Sequence, residues 1–335
     1  MKSRQVNIEI LRIIAMILVL VGHYNRPING DVTFELMHTD ALKAFGIAII
    51  KSWTFVCVPC FVIISGYFGI HWKWKGILNF LFQIGFWGGL VYILTSSLGF
   101  QKFQVIPFVK SMTCFVYGVN WFITAYLGLY MFAPIINSFV EHTTEKQMLW
   151  VVLAFFFYQT IFGWIFKIAE FSMGMTMTSL MGYYLLGGYL RKSSLRIFHL
   201  KARVNLSIFL LIGLFCACVN CTTQYWGFSK DVFSYISPFQ VIQTAYLFLF
   251  CRSLKITCGK KVITFLASSA FAGLLAHSWE GGGMYYAGLN WCAAHFTYSF
   301  LPCMLYILLF FAFACCLDKV RIFCWNKIYS VFNKY

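Results

Sequence analysis

Long apolar runs, each ended by a short polar or basic stretch, recur along the whole chain. Ten can be drawn: 8–24, 45–70, 76–98, 119–138, 148–167, 176–190, 203–223, 236–251, 262–279 and 293–316. A helix rises 1.5 Å per residue, so about 20 apolar residues cross a hydrocarbon core roughly 30 Å thick. Only 176–190 is short for that task. The pattern predicts an all-α fold, a polytopic transmembrane helical bundle of about ten spans. Segment 99–118 is aromatic but carries Lys102, Pro107 and Lys110, and is expected as an interfacial loop. The first run does not read as a cleavable leader. Glu9 and Arg12 interrupt it, and no small-x-small site follows before His23. It is expected to stay as the first helix.

Composition sharpens this picture. Of 335 residues, 61% are hydrophobic, 20% aromatic and only 11% charged, with a mean hydropathy of +0.76. A soluble domain carries about 25% charged residues, so this chain has too few to cover itself in water and lipid must solvate much of its surface. No linker, low-complexity stretch or internal repeat divides it, and residues 1–335 read as a single membrane-embedded domain.

Charge then orients the spans. Most of the 26 basic residues fall in alternate loops, around residues 2–4, 73–75, 146, 191–203, 252–261 and 319–334. The positive-inside rule places those loops, and with them both termini, in the cytoplasm. The net charge of +16 is scattered between spans rather than gathered on one soluble face. It fits an anionic leaflet and not a nucleic acid.

The thirteen cysteines lie mostly inside apolar runs, where a thiol behaves as a small hydrophobe. Cys57 and Cys60 have redox-motif spacing but sit in an apolar helix, and no metal site is expected. Gly85 and Gly89 form a GxxxG pair of the kind that lets helices approach closely.

Ionisable groups inside a span are more informative, because each costs about 2.5–3.5 kcal/mol to insert. The first run holds Glu9, Arg12 and His23. Arg12 and His23 are eleven residues apart, close to three turns, so they project from one face about 16 Å apart. Glu9, one turn before Arg12, can pair with it. Arg12 may be read as snorkelling to headgroups and His23 as capping the span. The functional reading is a fork for phosphate at one end and an acid/base imidazole at the other.

This arrangement, Arg12-x10-His23, resembles the first-span signature of the acyltransferase-3 family, bacterial inner-membrane O-acyltransferases that modify surface glycans. Three further stretches resemble it in order. Phe61-Val-Ile-Ile-Ser65-Gly66-Tyr67 looks like the Phe-x-x-x-Ser-Gly-Tyr/Phe element. Asn120-Trp121-Phe122 with Tyr126, Tyr130 and Ala133-Pro134 is similar to the Trp-Phe-Leu span. Ala272-Gly273-Leu-Leu-Ala-His277 is similar to a Gly-x-Tyr-Leu-x-His segment. Two departures stand out. Trp72-Lys73-Trp74-Lys75 occupies a loop where the family often has arginines, and Leu275 stands where an aromatic is common.

The resemblance implies acyl-CoA, acetyl-CoA by first expectation, as donor, and a hydroxyl of a surface glycan or its lipid-linked precursor as acceptor. No cofactor is expected to be tightly bound. Arg12, Lys73 and Lys75 would hold the donor's phosphates, and His23 would act as general base or take the acyl group itself. Glu9, Ser65, Trp121, Tyr126, His277 and Glu280 are candidates for substrate binding. The rival is a transporter or flippase of a lipid-linked glycan, since buried Arg, His and Glu also line transport paths. Against it, no paired broken helices recur in two halves.

Overall fold

The computed structural model describes residues 5–117, 120–228, 232–278, 281–296 and 299–332. Among these residues there is no strand, and helix dominates. The order is α1 (Val6–Asn29), α2 (Phe34–Thr39), α3 (Ala41–Thr54), α4 (Cys57–Phe68), α5 (Trp74–Ser97), α6 (Val105–Met112), α7 (Trp121–His142) and α8 (Glu145–Tyr158). There follow α9 (Met177–Lys192), α10 (Ala202–Tyr225), α11 (Pro238–Ser253), α12 (Lys260–Ala267), α13 (Phe271–His277), α14 (Gly281–His295) and α15 (Phe300–Phe332). A π-helical turn, Gln159–Ile165, extends α8.

Among the described residues, seven helical stretches are long and apolar enough to cross a membrane, with α3 and α4 running on as one, Ala41–Phe68. The other three expected runs form helices too short to count as spans by length, so the expected number of about ten is not reached. The runs at 176–190 and 236–251 become α9 and α11, of 16 residues each, or about 24 Å. In α9 every residue from Ser179 to Leu190 except Met181 is buried, so protein surrounds it and lipid thickness does not set its length. The run at 262–279 breaks at Ser268–Ala270 into α12 and α13, of 8 and 7 residues. Large apolar side chains such as Phe157, Leu211, Leu309 and Phe313 stay 61–69% exposed, which suits a surface meant for lipid.

The chain forms two compact units: residues 1–71 with 125–258, and 72–124 with 259–335. In the first, α4 and α9 approach backbone to backbone because Gly66 and Gly187 face each other's helix. A Cβ on Gly66 would lie 2.7 Å from the Tyr184 carbonyl carbon, and one on Gly187 would lie 2.8 Å from the Tyr67 nitrogen. Ser52 Oγ donates to the Gly213 carbonyl at 2.8 Å, tying α3 to α10.

In the second unit the segment expected as an interfacial loop, 99–118, contains α6. The glycine pair supplies the reason. Gly85 and Gly89, with Gly88 between them, leave α5 bare where α6 docks, and Ser111 Oγ donates to the Gly88 carbonyl at 3.1 Å. The tail expected after residue 316 is not a loop either, since α15 runs on to Phe332. Asp318 and Arg321 are 0% and 4% exposed and joined at 2.8 Å. Trp87 Nε1 donates to Asp318 at 2.9 Å and Arg321 Nη1 donates to Asn79 at 2.9 Å. Polar groups this deep persist because they satisfy one another.

Candidate functional site

The helix α1 is continuous from Val6 to Asn29, with Pro27 near its end, so the spacing of Arg12 and His23 translates directly into geometry. Eleven residues at 100° each bring the two side chains within about 20° of one another, roughly 16 Å apart along the axis. They occupy the packed face. Ile8, Met16 and Val19, within about 60° of both around the helix, are 0%, 1% and 4% exposed. Yet His23 is exposed and the Arg12 side chain keeps 33% exposure. The packed face of α1 therefore opens at its two polar residues. Beside His23, Gly22 faces Thr54 of α3; a Cβ there would sit 3.3 Å from Thr54 Oγ1.

Glu9 and Arg12 pair as expected. Arg12 Nη1 donates to the two Glu9 oxygens at 2.9 and 3.2 Å, and Glu9 is only 4% exposed. Ser65, near the end of α4, bonds across to α7, with 2.9 Å between its Oγ and the Tyr126 hydroxyl. Its Oγ also donates to the Phe61 carbonyl at 2.9 Å. Because α1 packs on α4, the Glu9–Arg12 pair and the Ser65–Tyr126 contact belong to the same unit.

The same unit holds a second polar layer. The Tyr184 hydroxyl accepts from the Ile70 nitrogen and donates to Asn137 Oδ1, both at 2.7 Å, while Asn137 Nδ2 donates to the Ile70 carbonyl at 2.8 Å. The Ser65-Gly66-Tyr67 stretch places a hydroxyl on either side of a glycine that sets the α4–α9 contact.

The same end of this unit gathers the basic loops. Lys192 Nζ donates to the Thr143 carbonyl at 2.8 Å, Ser194 donates to Glu145, and Arg252 Nη1 donates to the Leu190 carbonyl at 2.9 Å. Asn7 of α1 donates to the Arg252 carbonyl at 2.7 Å. At the other end Asp31 holds Arg26 at 3.2 Å and Lys51 at 3.0 Å.

The remaining candidates belong to the second unit, and the structure separates them there. Lys73 and Lys75 begin α5, both exposed, with Lys75 Nζ 4.0 Å from the centre of the Tyr329 ring. His277 ends α13, 3% exposed. Its Nδ1–H donates to the Gly273 carbonyl at 2.7 Å, and its ring meets Tyr285, which packs on Phe310. Tyr329 and Phe310 are about 28 Å apart along α15, so the lysines and His277 mark opposite ends of their unit. Trp121 opens α7 and stacks edge-on to Phe122. Glu280 lies outside the described residues.

Sequence reasoning missed Asn137, Tyr184 and Arg252. Asn137 carried a signal, being a polar side chain inside an apolar run. Arg252 carried none, since it read as one loop charge among many. No curated protein and no solved structure gives a significant match to the chain. The family model of the acyltransferase domain matches residues 5–279, a stretch that holds the whole neighbourhood of Arg12 and His23, and the chain belongs to the acyltransferase-3 family.

Proposed function

We propose that this membrane acyltransferase transfers a short acyl group, acetyl by first choice, from acyl-CoA to a hydroxyl of a surface polysaccharide or its lipid-linked precursor. The observation that carries the reading is one unbroken helix carrying Arg12 and His23 on the same face about 16 Å apart. An extended pantetheine arm bridges a distance of that order. With the donor's phosphates at the Arg12 end, the thioester arrives beside His23.

The chemistry follows from the imidazole. His23 removes the proton from the acceptor hydroxyl as its oxygen attacks the thioester carbonyl. The carbon–sulfur bond then breaks, and the departing thiolate takes the proton back from the imidazolium. In the covalent variant the ring nitrogen attacks first and expels the thiolate, which takes the ring's proton; the hydroxyl then displaces the imidazole from the acyl group and its proton passes to the freed ring nitrogen. The Ser65 and Tyr126 hydroxyls, 2.9 Å apart, are candidates to bond the donor arm or the sugar. Lys73 and Lys75 remain candidates for the donor's phosphates.

The site is read as opening at Arg12 to the cytoplasm of a bacterium, with the chain in its inner membrane and both termini cytoplasmic. The basic loops gathered at the α1 N-terminal end of the first unit support this. The test is direct: purified protein in detergent is given acetyl-CoA and a sugar acceptor, and acetyl transfer or slow hydrolysis is measured. Wild-type protein that acts on no acyl-CoA would refute the reading.

A further inference from the structure

Arg12 alone is a poor phosphate anchor, because Glu9 already takes its charge. One nitrogen of the guanidinium faces both carboxylate oxygens, and an approaching phosphate meets a near-neutral pair. Arg252 presents the opposite case. It ends α11 beside the first turn of α1, and α11 packs along α1. Its Nη1 donates to the Leu190 carbonyl and its Nη2 to the Phe198 carbonyl. Both partners are neutral. None of the ion pairs among the described residues involves Arg252.

A half-buried guanidinium held by carbonyl dipoles keeps its full charge, since arginine does not deprotonate in proteins. Two of its five N–H groups point to carbonyls, which fixes the fork and leaves others for a ligand. The nearby carboxylate of Glu145 is occupied by Ser193 and Ser194, while Arg191, Lys192, Arg196 and Lys201 add positive charge at this end.

We infer that Arg252 is an anion anchor that binds a phosphate group of the acyl donor, at the same end of the unit as Arg12. The inference rests on the acyl-CoA reading above and supplies the uncompensated charge which that reading needs. Arg12 then guides the arm, and Arg252 holds the phosphate.

The experiment compares two donors, acetyl-CoA and the phosphate-free thioester S-acetyl-N-acetylcysteamine, on wild type and Arg252→Lys. Lysine keeps the charge but loses the fork. The KM for acetyl-CoA is expected to rise roughly tenfold or more. The KM for the phosphate-free donor and for the acceptor should stay within about twofold, as an effect confined to phosphate requires. Equal losses with both donors would assign Arg252 to packing and overturn the inference, as would an unchanged KM for acetyl-CoA. A defect seen in phosphatidylglycerol vesicles and absent from phosphatidylcholine vesicles would make a lipid headgroup the ligand and overturn it too. Should Arg252→Lys not fold, Arg252→Gln must show the same donor selectivity. Wild type inert toward both thioesters is a different failure, that of the acyl-CoA reading itself.

Discussion

Gly66→Ala tests whether the Ser-Gly-Tyr stretch works through backbone contact. The added Cβ would stand 2.7 Å from the Tyr184 carbonyl carbon and 2.8 Å from its Cα, with the carbonyl oxygen nearer still. Non-bonded carbons rest about 3.5–4.0 Å apart. Backbone atoms cannot rotate away, so α4 and α9 must part by roughly 1 Å. Overpacking of this kind costs about 1–3 kcal/mol. The same shift stretches the 2.9 Å contact between Ser65 and Tyr126 towards the limit of a hydrogen bond. If that contact positions the reacting groups, a 1 Å displacement should reduce transfer about a hundredfold. Thermal unfolding in detergent and acyl transfer at saturating donor would be measured together. Gly46→Ala is the control, since a Cβ there meets nothing within 4 Å, and replacing glycine within a helix should leave stability equal or higher. A Gly66→Ala protein with wild-type unfolding and turnover would refute the reasoning.

His23→Ala should abolish transfer while the protein stays inserted and abundant; near-normal activity would remove the imidazole from the mechanism. Arg12→Ala should weaken donor affinity about tenfold or more, with Arg12→Lys intermediate and Glu9→Gln in the alanine background recovering part of the loss. Donor calorimetry on the purified variants checks this, and unchanged affinity would reassign Arg12. Arg321→Leu should destabilise by about 3–5 kcal/mol, because it leaves Asp318 charged and unpaired at 0% exposure. The double variant with Asp318→Asn should recover much of that, and chemical unfolding would tell whether the two effects couple. Burial acts to raise the Asp31 carboxyl, but the Lys51 hydrogen bond and the charges of Lys51 and Arg26 outweigh it and hold it below the ordinary carboxylate range. A carboxylate depressed by folding stabilises above its unfolded value, near pH 4, and loses that as pH falls through its folded value. Wild type should therefore lose stability below about pH 4 more steeply than Asp31→Asn, and parallel melting curves would dismiss the triad.

The apolar periodicity alone determined that this is a helical membrane protein, because insertion energy depends on runs of side chains and not on their tertiary partners. It also determined the axis of the proposed site. Arg12 and His23 sit on one helix, so 3.6 residues per turn fixes their shared face without any folding information. The tertiary structure decided what lies across from that axis. That Ser65 meets Tyr126, that Gly66 abuts Tyr184, and that Arg252 ends beside Asn7 are contacts between residues 61 to 245 positions apart. Hydropathy is blind to such pairings. It also missed where helices break or run on: α12 and α13 part at Ser268–Ala270, and α15 runs past its apolar run because Asp318 and Arg321 neutralise each other inside the unit. A charge reads as a loop signal in sequence, and only its partner shows that it can be core.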